Sequence, residues 1–184
     1  MDISYPDIGV CGLSCKLCPR HHTDGESRCG GCKTESRMAA GCPFISCAIK
    51  KKGIEFCRDC GESPACDKWK KHRDAGRQRD SFKCYQKLED DIAFIQAHGI
   101  DQFVKTQETR EILLKEMLAE FNEGRSKSYY CIAATVLEVG ELENALEAAR
   151  KASAGRDHKG RARALHAALD EIAVRKNHLL KLRK

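Results

Sequence analysis

Ten of the twelve cysteines in this 184-residue chain fall between Cys11 and Cys66, and that crowding constrains the first half more than any other feature. Over residues 1–75 the large apolar side chains are sparse, with Leu13, Leu17, Phe44, Phe56 and Trp69 among the few available. So small a set does not offset the entropy of ordering the segment. Bound structural zinc, which contributes about 10–16 kcal/mol in small zinc peptides, is of the size needed. No window holds eighteen apolar residues and the N-terminus is short and acidic, so neither membrane insertion nor export is expected. A cytoplasmic chain keeps its thiols reduced, which makes an even number of cysteines a ligand set rather than a disulfide framework.

Spacing supports that reading. Two cysteines separated by two residues can turn both sulfurs onto one tetrahedral ion while backbone amides point at them. Three such pairs occur: Cys15/Cys18 in CKLC, Cys29/Cys32 in CGGC and Cys57/Cys60 in CRDCG. The first two pairs make one four-thiolate site. The third pair needs two more ligands, and Cys47 and Cys66 are the nearest that leave the other pairs intact. Cys11 and Cys42 then remain over. A different grouping uses Cys11, because Cys11, Cys15 and Cys18 form C-x3-C-x2-C followed by Pro19, a spacing able to hold three irons of a [4Fe-4S] cubane. Radical S-adenosylmethionine enzymes share that spacing, but the helical remainder cannot build their parallel βα barrel. Zinc is the expected ion, since CRDCG and CGGC place glycine where amides must approach sulfur, and the cluster is the alternative. His21 and His22 are candidates for a mixed site, with solvation the plainer reading.

The run VCGLSCKLCPR, the CGGC at 29–32, CPFISCAIKKKGIEFCRDC from Cys42 to Cys60, and Cys66 after SPA resemble a cysteine-rich domain-of-unknown-function family of bacteria and archaea. Its members share a CGLxCxxC opening, a CxGC knuckle and a CxxC ahead of a final PxC or PC. The resemblance covers about residues 9–70, and YYCIAATVL and the terminal LLKLRK resemble the helical extension of one subgroup. It implies metal binding, with no established activity.

The periodicity turns helical from about Ser81, where Phe82, Tyr85, Leu88, Ile92 and Ile95 recur every three or four residues before Gly99. A second helix starts from an Asp101 cap and carries Phe103, Leu113, Leu114, Met117, Leu118 and Phe121 to a stop at 122–124. Three more are expected near 127–139, 141–153 and 158–182, with linkers at 75–80 and 153–160. The expected architecture is thus a small metal-stabilised Cys-rich domain with little regular structure (1–75) followed by an all-α bundle of about five helices (81–184). Strands are not expected beyond short knuckles around ligands.

Charge is segregated: residues 1–87 sum to +6, 88–149 to −8 and 150–184 to +8. Opposed blocks suit internal or protein docking first and nucleic acid, through the basic C-terminal helix, second. In that helix Leu165, Leu169, Ile172 and Leu179 make the buried stripe, leaving Arg163, Arg175 and Lys181 outside it. Lys50 to Lys52 and Glu89 to Asp91 read as solvated faces. Trp69 caps the metal domain against a helix. Cys84 and Cys131 read as helical thiols outside the main sites, with Cys131 turned off the main apolar face beside Ala134 and Thr135. No Ser/His/Asp order, Gly-rich phosphate loop or HExxH motif is present, so the function expected is a non-catalytic metal-binding interaction module, with an iron-sulfur redox protein or small enzyme as the alternative.

Overall fold

The computed structural model describes residues 2–39, 42–78 and 87–181. Among them eight helices form: α1 (Glu35–Ala39), α2 (Pro43–Ile45), α3 (Asp67–Gln78), α4 (Leu88–His98), α5 (Ile100–Phe121), α6 (Ser126–Val136), α7 (Val139–Ala152) and α8 (His158–Arg175). A π turn over Ser46–Lys51 continues α2, and single 3-10 turns occupy Cys15–Leu17, Cys57–Asp59 and Ser63–Ala65. No strand is present among the described residues, where Ile8 and Ser14 make an isolated bridge. No helix among them is long and apolar enough to cross a membrane.

The five helices expected after residue 81 are present, and their ends follow from local chemistry. Gly99, at φ 83, closes α4 and opens α5 in one residue. Glu138 and Glu141 form a capping box at the start of α7, and Asp157 accepts from the Gly160 amide at 2.8 Å to start α8. α6 is buried nearly all round, which marks it as the central helix. Its C-terminal carbonyls are bound by a buried guanidinium from α5: Arg110 donates to the carbonyl of Ala134 at 2.8 Å and to that of Leu137, with Glu138 beyond. A cation here is favoured by the helix dipole as well.

Apolar packing crosses the compositional boundary at three places. The main core of α5–α8 also takes in Leu17, which is 3% exposed. A second cluster joins Val10, Phe44, Ile45, Ala48 and Trp69 to Leu88 of α4. The third joins Ile8 and Phe56 to Ile95 and Phe103. Trp69 does cap the cysteine-rich segment against a helix, its ring 4.7 Å from that of Phe44. The opposed charge blocks meet as expected, with Arg150 on Glu116 and Glu120, Arg161 on Glu120 and Lys176 on Glu141.

Several expectations are corrected. The stretch from residue 75 is not a linker up to Gln78, because α3 runs through it. α8 stops at Arg175 rather than near 182: Asn177 takes φ 54, and the amides of Asn177 and His178 return to the carbonyls of Val174 and Ala173. The bend exchanges Leu179, 39% exposed, for Leu180 in the core. Cys131 lies inside the main core at 1% exposure, since a helix apolar on all sides leaves no outer face for it. Asp91 is buried, unlike its neighbours Glu89 and Asp90, because it lies against Gly12 of the cysteine-rich segment. Phe82, Cys84 and Tyr85 lie outside the described residues.

Candidate metal centre

The opening CGLSC folds into a tight loop. Gly9 donates to Leu13, Gly12 donates back to Gly9, and Cys15 donates to Asp7, leaving Cys11 in the loop. The CKLC pair then makes a 3-10 turn closed by Cys18 N–H on the Cys15 carbonyl at 3.0 Å. That turn throws Leu17 into the bundle between the two thiols. Cys29 donates to the Arg20 carbonyl at 2.9 Å, which folds the second knuckle back onto the first. Gly31 makes the closure possible: at φ 114 a side chain would be strained, and a Cβ would stand 3.3 Å from the Pro6 carbonyl and 3.7 Å from Cys15 Sγ. Through it the Cys32 amide reaches Cys15 Sγ at 3.3 Å.

Cys15, Cys18, Cys29 and Cys32 thereby lie in neighbouring turns, with Cys15 in contact with Cys32 and Cys18 near Cys29 and Cys32. Contact with Cys32, followed by burial, pushes the Cys15 thiol far up. Burial raises Cys18, against amides of Arg20 and His21 that favour its thiolate, with Cys29 and Cys32 as neighbouring thiols. The Arg37 guanidinium of α1 hydrogen-bonds Cys29 and is itself raised by it. Nearby, Lys33 is buried, donating to Glu55 at 2.7 Å and to the Tyr5 carbonyl at 3.0 Å, and Cys15 and Cys11 lie within its electrostatic reach.

The remaining thiols have unlike surroundings. Cys57 N–H donates to the Val10 carbonyl at 2.8 Å, which lays Cys57 beside Cys11. Burial, then the neighbouring Cys11, pushes the Cys57 thiol up to about 12; Cys66 and Cys47 add to the effect, while the nearby Trp69 opposes it. Cys60 turns the other way. Lys52 Nζ lies 3.0 Å from its sulfur and 2.9 Å from Glu62, and the ammonium followed by the Glu62 amide holds Cys60 below the ordinary thiol range. Cys42 precedes α2 and packs on the Trp69 cluster. His22 is half-buried with Nε2 2.6 Å from the Lys16 carbonyl, and burial lowers it.

Among the described cysteines no disulfide forms. As placed, no three His, Cys, Asp or Glu side chains among the described residues stand close enough to enclose one ion. The donor chemistry nonetheless fits a thiophilic cation: soft sulfurs, amides aimed at sulfur, and Lys33, Arg37 and Lys52 positioned to offset the negative charge of thiolates around a divalent ion. Thiols held protonated must release protons to an incoming metal, which makes occupancy pH-dependent.

Residues 7–71 match the sequence model of a family described as a protein of unknown function, DUF3795. That stretch contains all ten clustered cysteines and stops within α3, so the likeness is to a cysteine-rich domain and leaves α4–α8 outside it. No curated protein and no solved structure matches the chain.

Proposed function

We propose that residues 11–66 bind two metal ions through cysteine thiolates, zinc ahead of iron, and that the chain works as a non-catalytic interaction module in a reducing compartment such as the cytoplasm. The observation that carries this reading is the gathering of Cys15, Cys18, Cys29 and Cys32 from two separate knuckles, with backbone amides and Arg37 directed at their sulfurs. The metal fastens the segment, and the helical half is the surface presented. A protein is the first partner class. Nucleic acid is second, through the exposed Arg163, Arg175 and Lys181, for which no ion pair forms among the described residues.

A [4Fe-4S] cluster on Cys11, Cys15 and Cys18 is the second reading, favoured by the nearness of Cys11 to Cys15. Against it, Cys18 faces Cys29 and Cys32 while Cys11 also neighbours Cys57. Metal analysis with a visible spectrum on protein purified without oxygen separates the two. Two zinc ions per chain and a colourless solution are expected. Brown protein with about four irons and matching sulfide per chain reverses the order, and a folded chain free of any metal ends both readings.

A further inference from the structure

A cavity of about 160 Å³ lies at the seam between the N-terminal segment and α5, and none of the residues lining it is a cysteine. The geometry points to a binding site there for a small organic ammonium ion with a short apolar tail. The site uses no thiol, so it stands or falls independently of the zinc reading.

The cavity is built by a loop strapped across one stripe of a helix. Along α5, Asp101, Val104, Gln107, Glu108 and Glu111 recur every three or four residues and so share a face. At one end the Tyr5 hydroxyl donates to Asp101 at 2.7 Å, and at the other Lys16 Nζ lies 3.7 Å from Glu111. Between these straps Ile8 and Ser14 pair in an antiparallel bridge, and the Cys15 amide donates to the Asp7 carbonyl at 2.7 Å. Residues opposite each other in such a bridge turn their side chains to the same side. Ile8 packs in one apolar cluster with Val104 of α5, which gives the cavity an apolar wall.

The deep end is polar and the rim is negative. Ser14, 8% exposed, lines the cavity, and its hydroxyl has no hydrogen-bond partner among the described residues. Gln107, 7% exposed, lines it too. Buried polar atoms are ordinarily paired, so an N–H entering here meets acceptor oxygens that are not fully engaged by the fold. Nearer solvent stand the carboxylates of Asp7 and Glu108, together with Lys16. Lys16 is already held by Asp7 at 3.2 Å as well as by Glu111. An incoming anion must take that ammonium from two carboxylates, whereas a cation meets a surplus of negative charge. Size limits the rest, because an apolar cavity of about 150 Å³ takes a molecule of about six non-hydrogen atoms.

The test is a titration of the full chain, followed by amide chemical shifts, with n-pentylammonium, 1-pentanol and pentanoate as probes of one size and three charges. Saturable shifts at Ile8, Ser14, Lys16 and Gln107 are expected for n-pentylammonium, with a Kd of about 1 mM. Pentanol is expected to bind at least threefold more weakly, and pentanoate not at saturable levels. Glu108→Gln removes an exposed charge that the fold does not need, and is expected to weaken n-pentylammonium at least threefold while leaving pentanol unchanged. No saturable shift with n-pentylammonium means that the cavity holds water alone and overturns the proposal. So does pentanol or pentanoate binding as tightly as the ammonium ion, or an n-pentylammonium affinity unaltered by Glu108→Gln.

Discussion

The two halves of the chain are organised by different chemistry. In residues 87–181 most buried side chains are aliphatic or aromatic, and Arg110 binds carbonyls at the open end of the central helix. In residues 2–66 the helices are short, turns are closed one hydrogen bond at a time, and half-buried thiols occupy positions where a bundle would put leucine. The difference is not one of separation, because all three apolar clusters draw on both halves. It teaches that the cysteine-rich segment is anchored on its neighbour by the few apolar residues it lends to it.

The sharpest way to break that arrangement is Leu17→Ala. Removing a fully packed leucine typically costs about 2–5 kcal/mol, and here the lost contacts lie in the core of α5–α8. Chemical denaturation should show that loss, and hydrogen exchange should show it in α5 and α6. Loss of protection confined to residues 2–39 would mean that the wedge belongs to the loop alone.

Asp91 reports on the seam itself. Burial against Gly12 lifts its carboxyl from an ordinary value near 3.8 to about 7, against the pull of Lys87 and then Arg110, while Asp90 and Glu138 push it further. The folded state therefore binds a proton that the unfolded chain has released. Its contribution is fully present below about pH 4 and is lost as pH rises through 7, an effect of at most about 4 kcal/mol. Asp91→Asn should flatten stability between pH 4 and 7 and leave the variant the more stable at pH 8. An unchanged slope would assign the pH dependence elsewhere.

The smallest effect expected is at Arg150. Its pairing with Glu116 and Glu120 is partly exposed, so Arg150→Ala should cost no more than about 1 kcal/mol, a difference that shrinks further in high salt. A larger, salt-independent loss would show that charge docking holds the helical half as strongly as its core does.

Much of the helical half was legible because a period near 3.6 and its punctuation agree at Gly99 and after Phe121, but the expected Asp101 cap does not form, since Gly99 already opens α5 and Asp101 lies inside its first turn. The end of α8 was signalled by Asn177, but the leucines at 179 and 180 carried the apolar pattern past it. α3 left no stripe to read. DKWKKHRDAGRQ is almost wholly polar, and its one large apolar side chain, Trp69, is buried by residues that come from α2 and α4. At the candidate centre, spacing marks the pairs Cys15/Cys18 and Cys29/Cys32, and the backbone bond from Cys29 to Arg20 that folds one knuckle onto the other is not visible in it. Nor does it show that Lys52 lies beside Cys60, because that neighbour is set by the turn after α2 rather than by the knuckle. Leu17 was hidden for a related reason, being an ordinary residue between two conspicuous ones.

The position of Leu17 bears on how such a chain can be inherited. Where two pieces of a protein meet through flat, polar surfaces, recombination can shuffle them freely. Here one piece ends in a plug and the other contains the matching hole. A gene fusion that carried residues 87–181 alone onto another protein would deliver a bundle with an open apolar socket between α5 and α6, prone to self-association until some other side chain filled it. An exchange of the cysteine-rich piece for another therefore calls for a large aliphatic residue at the place of Leu17.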